Sequence, residues 1–481
     1  MGESQVSIFQ PDFNRSVRVE ARPERLTADA GALLLRQLMD SSGLSALLVE
    51  HLVDARNPLF VEHGFLELLR TMLLLPAQGW RDQLDVTLLR EDPVLRLAVS
   101  ERRGAGVLAE RPGLCSQPTL SRLLHTLAVP CNREGLGTVL LEYAARRKRL
   151  RHGGKPLEEA TLDVDSMAQE VHGYQPGSDY NGHFGMQCYH PVLVSWDQGD
   201  FLAARLRPGN VHTADGGLDF VLPVLRWAKT QARTVWIRMD AGFPGAELLG
   251  GLEAAGCRYV ARIRANRKLE QLAAPLLKRP VGRPPAAPRT WLHELSYRAA
   301  SWAAPRRVVA VMVERPGELF PDHFFLVTNA PVEETCAEEL LVRYRYRGLA
   351  EKDFGDWKTA FDPHLSSSPR PKRHYRGRRL PQRESLTDSF AANEALLLLN
   401  LLSANLLGHA ATLIHGSSQT RWSRSRFRQL VLKTAGRVVL GKRYITVVID
   451  AARAHLWQLM TRELTRLAQA RGSPCADPLP A

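Results

Sequence analysis

Residues 343–361 read RYRYRGLAEKDFGDWKTAF and place four side chains of different chemistry at helical spacing. They are Tyr344, Arg347, Glu351 and Lys358, in the pattern Tyr-x2-Arg-x3-Glu-x6-Lys. With about 100° of rotation per residue, all four fall within roughly 60° of one another on a helix. The stretch therefore predicts a helix that presents one carboxylate and two cations on a single face. Most amphipathic helices carry a charged solvent face, so an ordinary surface helix is the alternative for this stretch alone.

The opposite side of the predicted helix is apolar and is expected to pack against a core. The side chains on that side are Tyr346, Leu349, Ala350, Phe354, Trp357, Ala360 and Phe361. Gly355 returns to the charged face, where the missing side chain would let another backbone approach closely. The helix is therefore predicted to lie on a folded core with its charged face accessible.

Two aspartates at predicted strand ends supply partners for the charged helix. The stretches EATLDVDS and TVWIRM both have the pattern of strands, and Asp165 and Asp240 lie at their carboxyl ends. Ends of neighbouring parallel strands meet at one edge of a sheet, and Glu351 from a packed helix would complete a cluster of three carboxylates. Asp163 leaves the same strand face two residues earlier and is the alternative to Asp165.

Three carboxylates in a basic chain suit a particular chemistry. Hard oxygen ligands without His or Cys favour Mg²⁺ or Mn²⁺ and a phosphate substrate. Two such ions about 3.5–4 Å apart activate an attacking oxygen and stabilise a leaving oxygen, and nearby cations neutralise the transition state. His183 and His190 lie close to Asp165 in the sequence, and we interpret both as structural histidines.

Composition favours a nucleic-acid partner over a membrane. The 481 residues carry a formal net charge of +14, which attracts polyanions. We expect no signal peptide, because the start MGESQVSIFQPDF lacks an apolar segment. The most apolar run, residues 391–414, contains Glu394, Asn400, Asn405 and His409 and predicts a buried helix. The six cysteines have no metal-ligand spacing, which is typical of small buried residues in a reducing compartment.

The pattern of elements changes along the chain and predicts five regions. Three successive strands followed by helix, strand, helix and strand indicate a mixed α/β sheet. The regions are a helical N-terminal DNA-binding region (1–155), the first part of the core (156–263), a β-rich insertion (264–332), the second part of the core with the glutamate helix and a basic loop (333–388), and a helical C-terminal region and tail (389–481).

Several segments outside the carboxylate cluster are candidate DNA contacts. Within CSQPTLSRLLHTLAV, a capped helix with Arg122 and His125 exposed would suit a helix-turn-helix element, although any capped helix looks similar. The GRP segment around Arg283 has the form of a minor-groove hook and also that of a plain linker. For the basic cluster in residues 421–437, phosphate binding and a simple surface are equally plausible. Phosphate contact is favoured for the loop PRPKRHYRGRR, with the candidates Arg370, Lys372, Arg373 and Arg376.

These motifs together resemble those of DDE transposases of the IS4 superfamily, and within it the IS1380 group. The pattern of residues 344–358 is similar to the superfamily's glutamate signature. RMDAGFPGAELL resembles its second-aspartate motif, and TLDVDSMAQEVHGYQ resembles its first-aspartate strand. Further group-like stretches are LTADAGALLLRQL, SQPTLSRL, LRPGNVHTADG and FRQLVLKTAGRVV. The resemblance therefore covers most of the chain, from about residue 20 to about residue 470.

The resemblance implies an RNase H-like catalytic core interrupted by a β-rich insertion before the glutamate helix. It implies Asp165, Asp240 and Glu351 as catalytic ligands of two Mg²⁺ ions, with Mn²⁺ possible in their place. Arg347 and Lys358 would hold phosphates, and Tyr344 would position Glu351 or touch the DNA backbone.

The implied activity is that of an insertion-sequence transposase in the bacterial cytoplasm, at the nucleoid. It would bind the terminal inverted repeats, cleave the DNA ends and transfer the 3′-OH ends into target DNA as a homodimer in the synaptic complex. A catalytically inactive or repressor-like DNA-binding relative is one alternative, and another RNase H-like nuclease is a second. The complete set of carboxylates argues against the first, and the full pattern after a β insertion argues against the second.

Overall fold

The computed structural model describes most of the chain and leaves several predicted DNA contacts outside it. Arg283 and the basic-loop residues Arg370, Lys372, Arg373 and Arg376 lie outside the described residues. The described ranges are 6–109, 113–171, 175–277, 286–318, 320–366, 385–415 and 422–472.

The N-terminal region is mainly helical. On the helix Gln117–Leu127 the leucines Leu120, Leu123, Leu124 and Leu127 are buried, while Arg122 and His125 are exposed to solvent. The region contains β1 (Val6–Phe9), β2 (Val19–Ala21), β3 (Arg25–Thr27), α1 (Ala32–Ser41), α2 (Leu44–His51), α3 (Phe65–Gln78), α4 (Asp85–Leu88), α5 (Pro93–Val99), α6 (Gly106–Ala109), α7 (Gln117–Leu127) and α8 (Pro130–His152).

Strands dominate the middle of the chain, with helices between them. They are β4 (Leu157–Ser166), β5 (Gln169–Glu170), β6 (Asp179–Asn181), β7 (Met186–Tyr189), β8 (Val192–Trp196), β9 (Phe201–Arg205), β10 (Ala232–Met239), β11 (Arg258–Ile263), β12 (Arg289–Tyr297), β13 (Arg306–Glu314) and β14 (Asp322–Thr328). The helices of this part are α9 (Gly217–Gln231), α10 (Ala246–Ala254), α11 (Arg267–Ala273), α12 (Ala337–Arg345) and α13 (Arg347–Phe361).

Five of these strands form an RNase H-like core. In the eight-stranded sheet, β9, β8 and β4 are antiparallel neighbours, and β10 and β11 continue parallel to β4. Helix α9 leads from the antiparallel strands to β10, and α10 leads from β10 to β11. A crossover helix between parallel strands is the usual way to join them. The predicted fold class, an α/β protein with an RNase H-like core, is confirmed.

The stretch predicted as a β-rich insertion supplies three strands that extend the same sheet. Strand β14 pairs antiparallel with β11, β13 pairs with β14, and β12 forms the outer edge. The edge of β11 would otherwise expose a row of unpaired backbone groups. The insertion therefore does not stand apart from the central sheet.

The C-terminal part packs back onto the N-terminal part. It contains α14 (Ser385–His415), α15 (Arg424–Phe427), β15 (Gly436–Leu440), β16 (Ile445–Ile449) and α16 (Ala454–Gly472). Strand β15 pairs with both β16 and β3, so one small sheet joins the two parts. Among the described helices, α14 is long and apolar enough to cross a membrane, as is the pair α1 and α2 if its 66° bend is ignored. Because 83% of the apolar window of α14 is buried inside the protein, α14 packs as the predicted core helix.

The glutamate helix differs from its prediction in two respects. The chain forms two helices, α12 and α13, that meet at Tyr346, so Tyr344 and Glu351 lie on different helices. Tyr346 and Leu349, which were expected to face the core, are 55% and 60% exposed. The buried stripe of α13 instead begins with Arg347, whose side chain turns toward carboxylates. Its remaining members are Ala350, Phe354, Trp357, Ala360 and Phe361.

Candidate active site

Asp165 and Asp240 lie side by side at the carboxyl edge of the sheet. Strands β4 and β10 are parallel, with Val164 opposite Met239, so the aspartates occupy the next position of each strand. Asp165 accepts a hydrogen bond from the Ser166 amide at 2.9 Å, and Asp240 accepts one from the Ala241 amide at 2.6 Å. The predicted strand-end pair is thus a direct result of the parallel pairing.

Arg347 joins the first aspartate to the glutamate. One guanidinium nitrogen donates to Asp165 at 2.9 Å, and the other donates to Glu351 on the next turn of α13. The side chain of Arg347 is 10% exposed, whereas that of Glu351 is 56% exposed. Burial lowers the pKa of Arg347, but the charges of Asp165, Glu351 and Asp240 outweigh burial and raise it above its ordinary value. The guanidinium is therefore the cation at the centre of this acidic group.

The carboxylates act on one another electrostatically. Burial raises the pKa of Asp165 to about 6, and the negative charges of Asp240 and Glu351 add to that increase. Arg347 opposes the increase by favouring the ionised form. Three carboxylates that share one arginine would be stabilised further by a cation of higher charge.

The donor set fits a divalent cation. Asp165, Asp240 and Glu351 offer the hard oxygen atoms that Mg²⁺ and Mn²⁺ prefer. Within the described ranges, no three acidic, histidine or cysteine side chains already stand in position to hold a metal ion. At this site the carboxylates do not converge on one point, because the Arg347 guanidinium occupies the space between Asp165 and Glu351.

Asp163 has a different role from Asp165. Both of its oxygens accept hydrogen bonds from Arg238, each at 2.7 Å, and both side chains are almost fully buried. Arg238 also donates to the carbonyl of Arg343 near the end of α12, at 3.0 Å. This pair fixes α12 to the sheet, which leaves Asp165 as the strand carboxylate that faces Arg347 and Glu351.

Two residues of α12, Arg343 and Tyr344, make further contacts that hold this helix in place. Arg343 forms an ion pair with Glu159 of β4, and its guanidinium lies 4.1 Å from the ring centroid of Trp236 on β10. The ring of Tyr344, the next residue, lies 6.3 Å from that of Phe324 on β14. Burial raises the pKa of Tyr344, although the charge of Arg347 opposes the increase. Tyr344 therefore packs against Phe324 of β14, and it is close enough to Arg347 for that charge to affect its pKa.

Lys358 lies near the same end of the sheet. Its ammonium group donates to the carbonyl of Ala168 at 3.3 Å, and no carboxylate among the described residues pairs with it. A side chain added at Gly355 would meet no other atom within 4 Å, so this turn of α13 is open. The structure thus leaves a free cation and open space on the helix that carries Glu351.

His190 supports the loop that follows Asp165. Its ring nitrogens lie 3.1 Å from the Ser166 hydroxyl and 3.1 Å from the Val211 carbonyl. Burial lowers the pKa of His190, which favours the neutral ring. The aromatic ring of Phe184 lies between those of His183 and His190. Both histidines pack in the way that we expect of structural residues.

Residues 421–437 contain positioning groups that the sequence did not reveal. Arg428 is buried and donates to the carbonyls of Pro76, Ala77 and Ala360, joining the end of α3 to the end of α13. Arg424 is also buried and pairs with Asp356 on α13 at 3.0 Å. We call Arg424 and Arg428 the α13 clamp. Helical spacing with Phe427, Val431 and Leu432 indicates only an inward face, because the groups that the two arginines bind lie in distant parts of the chain.

A wide cleft runs along α12 and α13, and its lining does not include Asp165, Asp240 or Glu351. It has a volume of about 1530 Å³, and its lining includes Asp163, Arg238, Tyr346 and Leu349. The first two are already paired with each other, and the last two are the exposed apolar residues of α12 and α13. The cleft is therefore separate from the acidic group around Arg347.

The RNase H-like sheet with two strand-end aspartates and a helix-borne glutamate is the arrangement that defines DDE enzymes. The family described as Transposase DDE domain group 1 matches residues 9–472, and the chain belongs to that family. The structure is also similar to a cryo-EM structure of the piggyBac transposase synaptic complex with hairpin DNA. That likeness has a TM-score of 0.36 and 10% identity, and it covers 93% of this chain and 83% of that one. Comparison with curated proteins gives no match.

Proposed function

We propose that this chain is the transposase of an IS1380-like insertion sequence within the IS4 superfamily. It binds the terminal inverted repeats of its element, cleaves the DNA ends and transfers the 3′-OH ends into target DNA. One observation supports this most strongly: Asp165 and Glu351 meet at Arg347, with Asp240 on the adjacent strand end. The family match supports a transposase at the coarser level.

Asp165, Asp240 and Glu351 would hold two Mg²⁺ ions, or Mn²⁺ in their place. The chemistry that such ions would supply there is polarisation of the scissile phosphate and activation of the attacking water or 3′-OH. The chain's own residues prepare this site before DNA arrives. The strands fix the two aspartates, and the α13 clamp together with the Asp163–Arg238 pair fixes the helices that carry Arg347 and Glu351.

Arg347 places one positive charge between Asp165 and Glu351 in the DNA-free protein, where its guanidinium is positioned to donate to an incoming phosphate. A guanidinium matches two phosphate oxygens as well as it matches a carboxylate. We propose that Arg347 exchanges the carboxylates for phosphate oxygens when DNA and metal bind. Lys358 and Tyr344 would contact the same strand on either side of Glu351.

The proposed partners are the element's ends and target DNA. Two ends must be joined for strand transfer, so a homodimer in the synaptic complex is part of the proposal. A net charge of +14 favours association with the nucleoid in the bacterial cytoplasm.

The proposal is tested with a labelled duplex that carries one end of the element. The protein is incubated with this duplex with and without Mg²⁺, and strand nicks are resolved on a denaturing gel. We expect a nick at the element boundary that requires Mg²⁺ or Mn²⁺. A protein that binds the end and leaves it intact with either ion contradicts the proposal.

Removal of the central guanidinium should improve metal binding. We expect Arg347→Gln to raise the affinity of the DNA-free protein for Mn²⁺ by about tenfold or more, a change of about 1.4 kcal/mol. Free Mn²⁺ is counted by electron paramagnetic resonance at pH 8. Arg345→Gln, on the exposed side of α12, is the matched control. An unchanged or weaker affinity in Arg347→Gln would mean that the guanidinium does not compete with the ion.

Lys358 should contribute one phosphate contact. Replacing it with alanine is expected to reduce the slope of log affinity against log salt by about one for binding to the element end. Fluorescence anisotropy measures binding between about 50 and 300 mM salt, where log affinity falls linearly with log salt. Lys352→Ala, an exposed lysine on the cleft side of α13, serves as the control. Equal slopes for the two variants place Lys358 away from DNA.

A further inference from the structure

Arg262 occupies the next position of the sheet beyond the two aspartates. Met239 is opposite Val164 on one side and opposite Ala261 on the other. Asp165, Asp240 and Arg262 therefore follow one another across three adjacent parallel strands. Val260, two residues before Arg262, packs in the apolar cluster with residues of α12, so Arg262 points to the sheet face that α12 covers.

Aromatic rings support the Arg262 side chain. Its guanidinium lies 5.2 Å from the ring centroid of Phe324, and Phe324 in turn lies against Tyr344. Arg262 is exposed, and no carboxylate in the described part of the chain forms an ion pair with it. An arginine side chain that already packs on an aromatic ring loses less rotational freedom when its guanidinium binds a ligand. Arg262 is thus a supported cation next to Asp240.

The chain continues the basic surface past the end of β11. Arg264 and Arg267 follow in RIRANR, and both are exposed. Neither has an ion-pair partner among the residues that the structure describes. At the opposite end of the same strand, Arg258 is paired with Glu334. Of the four arginines on or just after β11, the three at the carboxylate-bearing edge have no acidic partner among the described residues, and Arg258 at the other end has one.

We propose that Arg262, Arg264 and Arg267 form a phosphate track that holds a DNA strand on the β11 side of the site. This inference rests on the proposed function. The strand lies next to Asp240 at Arg262 and follows the loop after β11 away from the carboxylates. Five residues of extended chain reach at most about 17 Å, which corresponds to about five base pairs at 3.4 Å each.

The arrangement explains how an acidic site can accept a polyanion. Asp165, Asp240 and Glu351 repel a phosphate strand unless nearby cations outweigh them. Arg347 and Lys358 provide cations on the α13 side, and the phosphate track provides them on the β11 side. Each guanidinium can donate two parallel hydrogen bonds to one phosphate. The strand is therefore held on both sides of the reacting phosphate.

The test removes the three charges without changing side-chain length greatly. We compare the triple variant Arg262→Gln, Arg264→Gln, Arg267→Gln with Arg226→Gln, an exposed arginine of α9 on the other face of the sheet. The probe is the labelled duplex with the element end, bound between about 50 and 300 mM salt. We expect the slope of log affinity against log salt to be smaller in magnitude by about 2.7 in the triple variant, since each phosphate contact contributes about 0.9. Arg226→Gln should match the wild-type slope.

Ethylation interference locates the contacts. In the wild-type complex, ethylation of phosphates beside the nick should block binding, and this interference should disappear in the triple variant. An unchanged slope or an unchanged interference pattern overturns the phosphate track. If the triple variant does not fold, Arg264→Gln alone is used, with an expected slope change of about 0.9. A wild-type protein that binds the end and never nicks it refutes the proposed function instead, and the interference pattern still tests the track.

Discussion

Glu351→Gln is expected to abolish cleavage of the element end and to leave its binding intact. Glutamine keeps the size of the side chain and removes the charge that would hold a metal ion. The glutamate is more than half exposed and its hydrogen-bond partner among the described residues is Arg347, so the fold should survive. We expect the nicking rate to fall by about 10³-fold or more, the scale for losing one preorganised electrostatic contact.

Denaturing gels measure the nicks of Glu351→Gln, and gel shifts at the same protein concentration measure binding. Glu338→Gln is the matched control, because Glu338 is an exposed glutamate in the first turn of α12. It should cleave like the wild type. A Glu351→Gln protein that still nicks at the wild-type rate removes Glu351 from the proposed metal-binding set.

Asp163→Asn should reduce the stability of the protein, whereas Asp165→Asn should abolish its activity. The first change leaves Arg238 buried without its carboxylate, and breaking a buried pair on one side costs about 3–5 kcal/mol. The second change affects a partly exposed aspartate whose charge is already opposed by Asp240 and Glu351. We therefore expect Asp163→Asn to lose stability and Asp165→Asn to stay folded but inactive.

Urea denaturation gives the free energy of unfolding of each variant, and the nicking assay gives its activity. The two substitutions are chemically identical and lie two residues apart on one strand, so each is the control for the other. The assignment of Asp165 as the metal ligand is wrong if Asp163→Asn is fully stable and inactive while Asp165→Asn remains active.

The parts of the fold that follow local rules were predictable from the sequence. Asp165 and Asp240 meet because β4 and β10 are parallel neighbours, so that both strands end at one edge of the sheet. The helical spacing of Arg347, Glu351 and Lys358 predicted the helix α13. The strand and helix patterns themselves depend on residues close in sequence, and the structure retains them.

Other parts depend on distant residues and could not be predicted. The break at Tyr346 changes which residues are buried, so Tyr346 and Leu349 are exposed and Arg347 is not. The spacing of Asp163 and Asp165 is the same on any strand, and only Arg238 from β10 distinguishes them. The basic stretch around Arg428 resembles a surface because the carbonyls it binds come from α3 and α13.

The α13 clamp has a consequence for synthesis of the protein. A nascent chain that has emerged from the ribosome as far as Glu351 still lacks Arg424 and Arg428, and it also lacks β15, which pairs with β3 near the other end. Protease sensitivity of stalled chains ending before and after β15 would measure this difference, with α13 protected only in the longer ones. The acidic group is therefore fixed in place late in translation, and an unfinished chain cannot hold Asp165, Arg347 and Glu351 rigidly together.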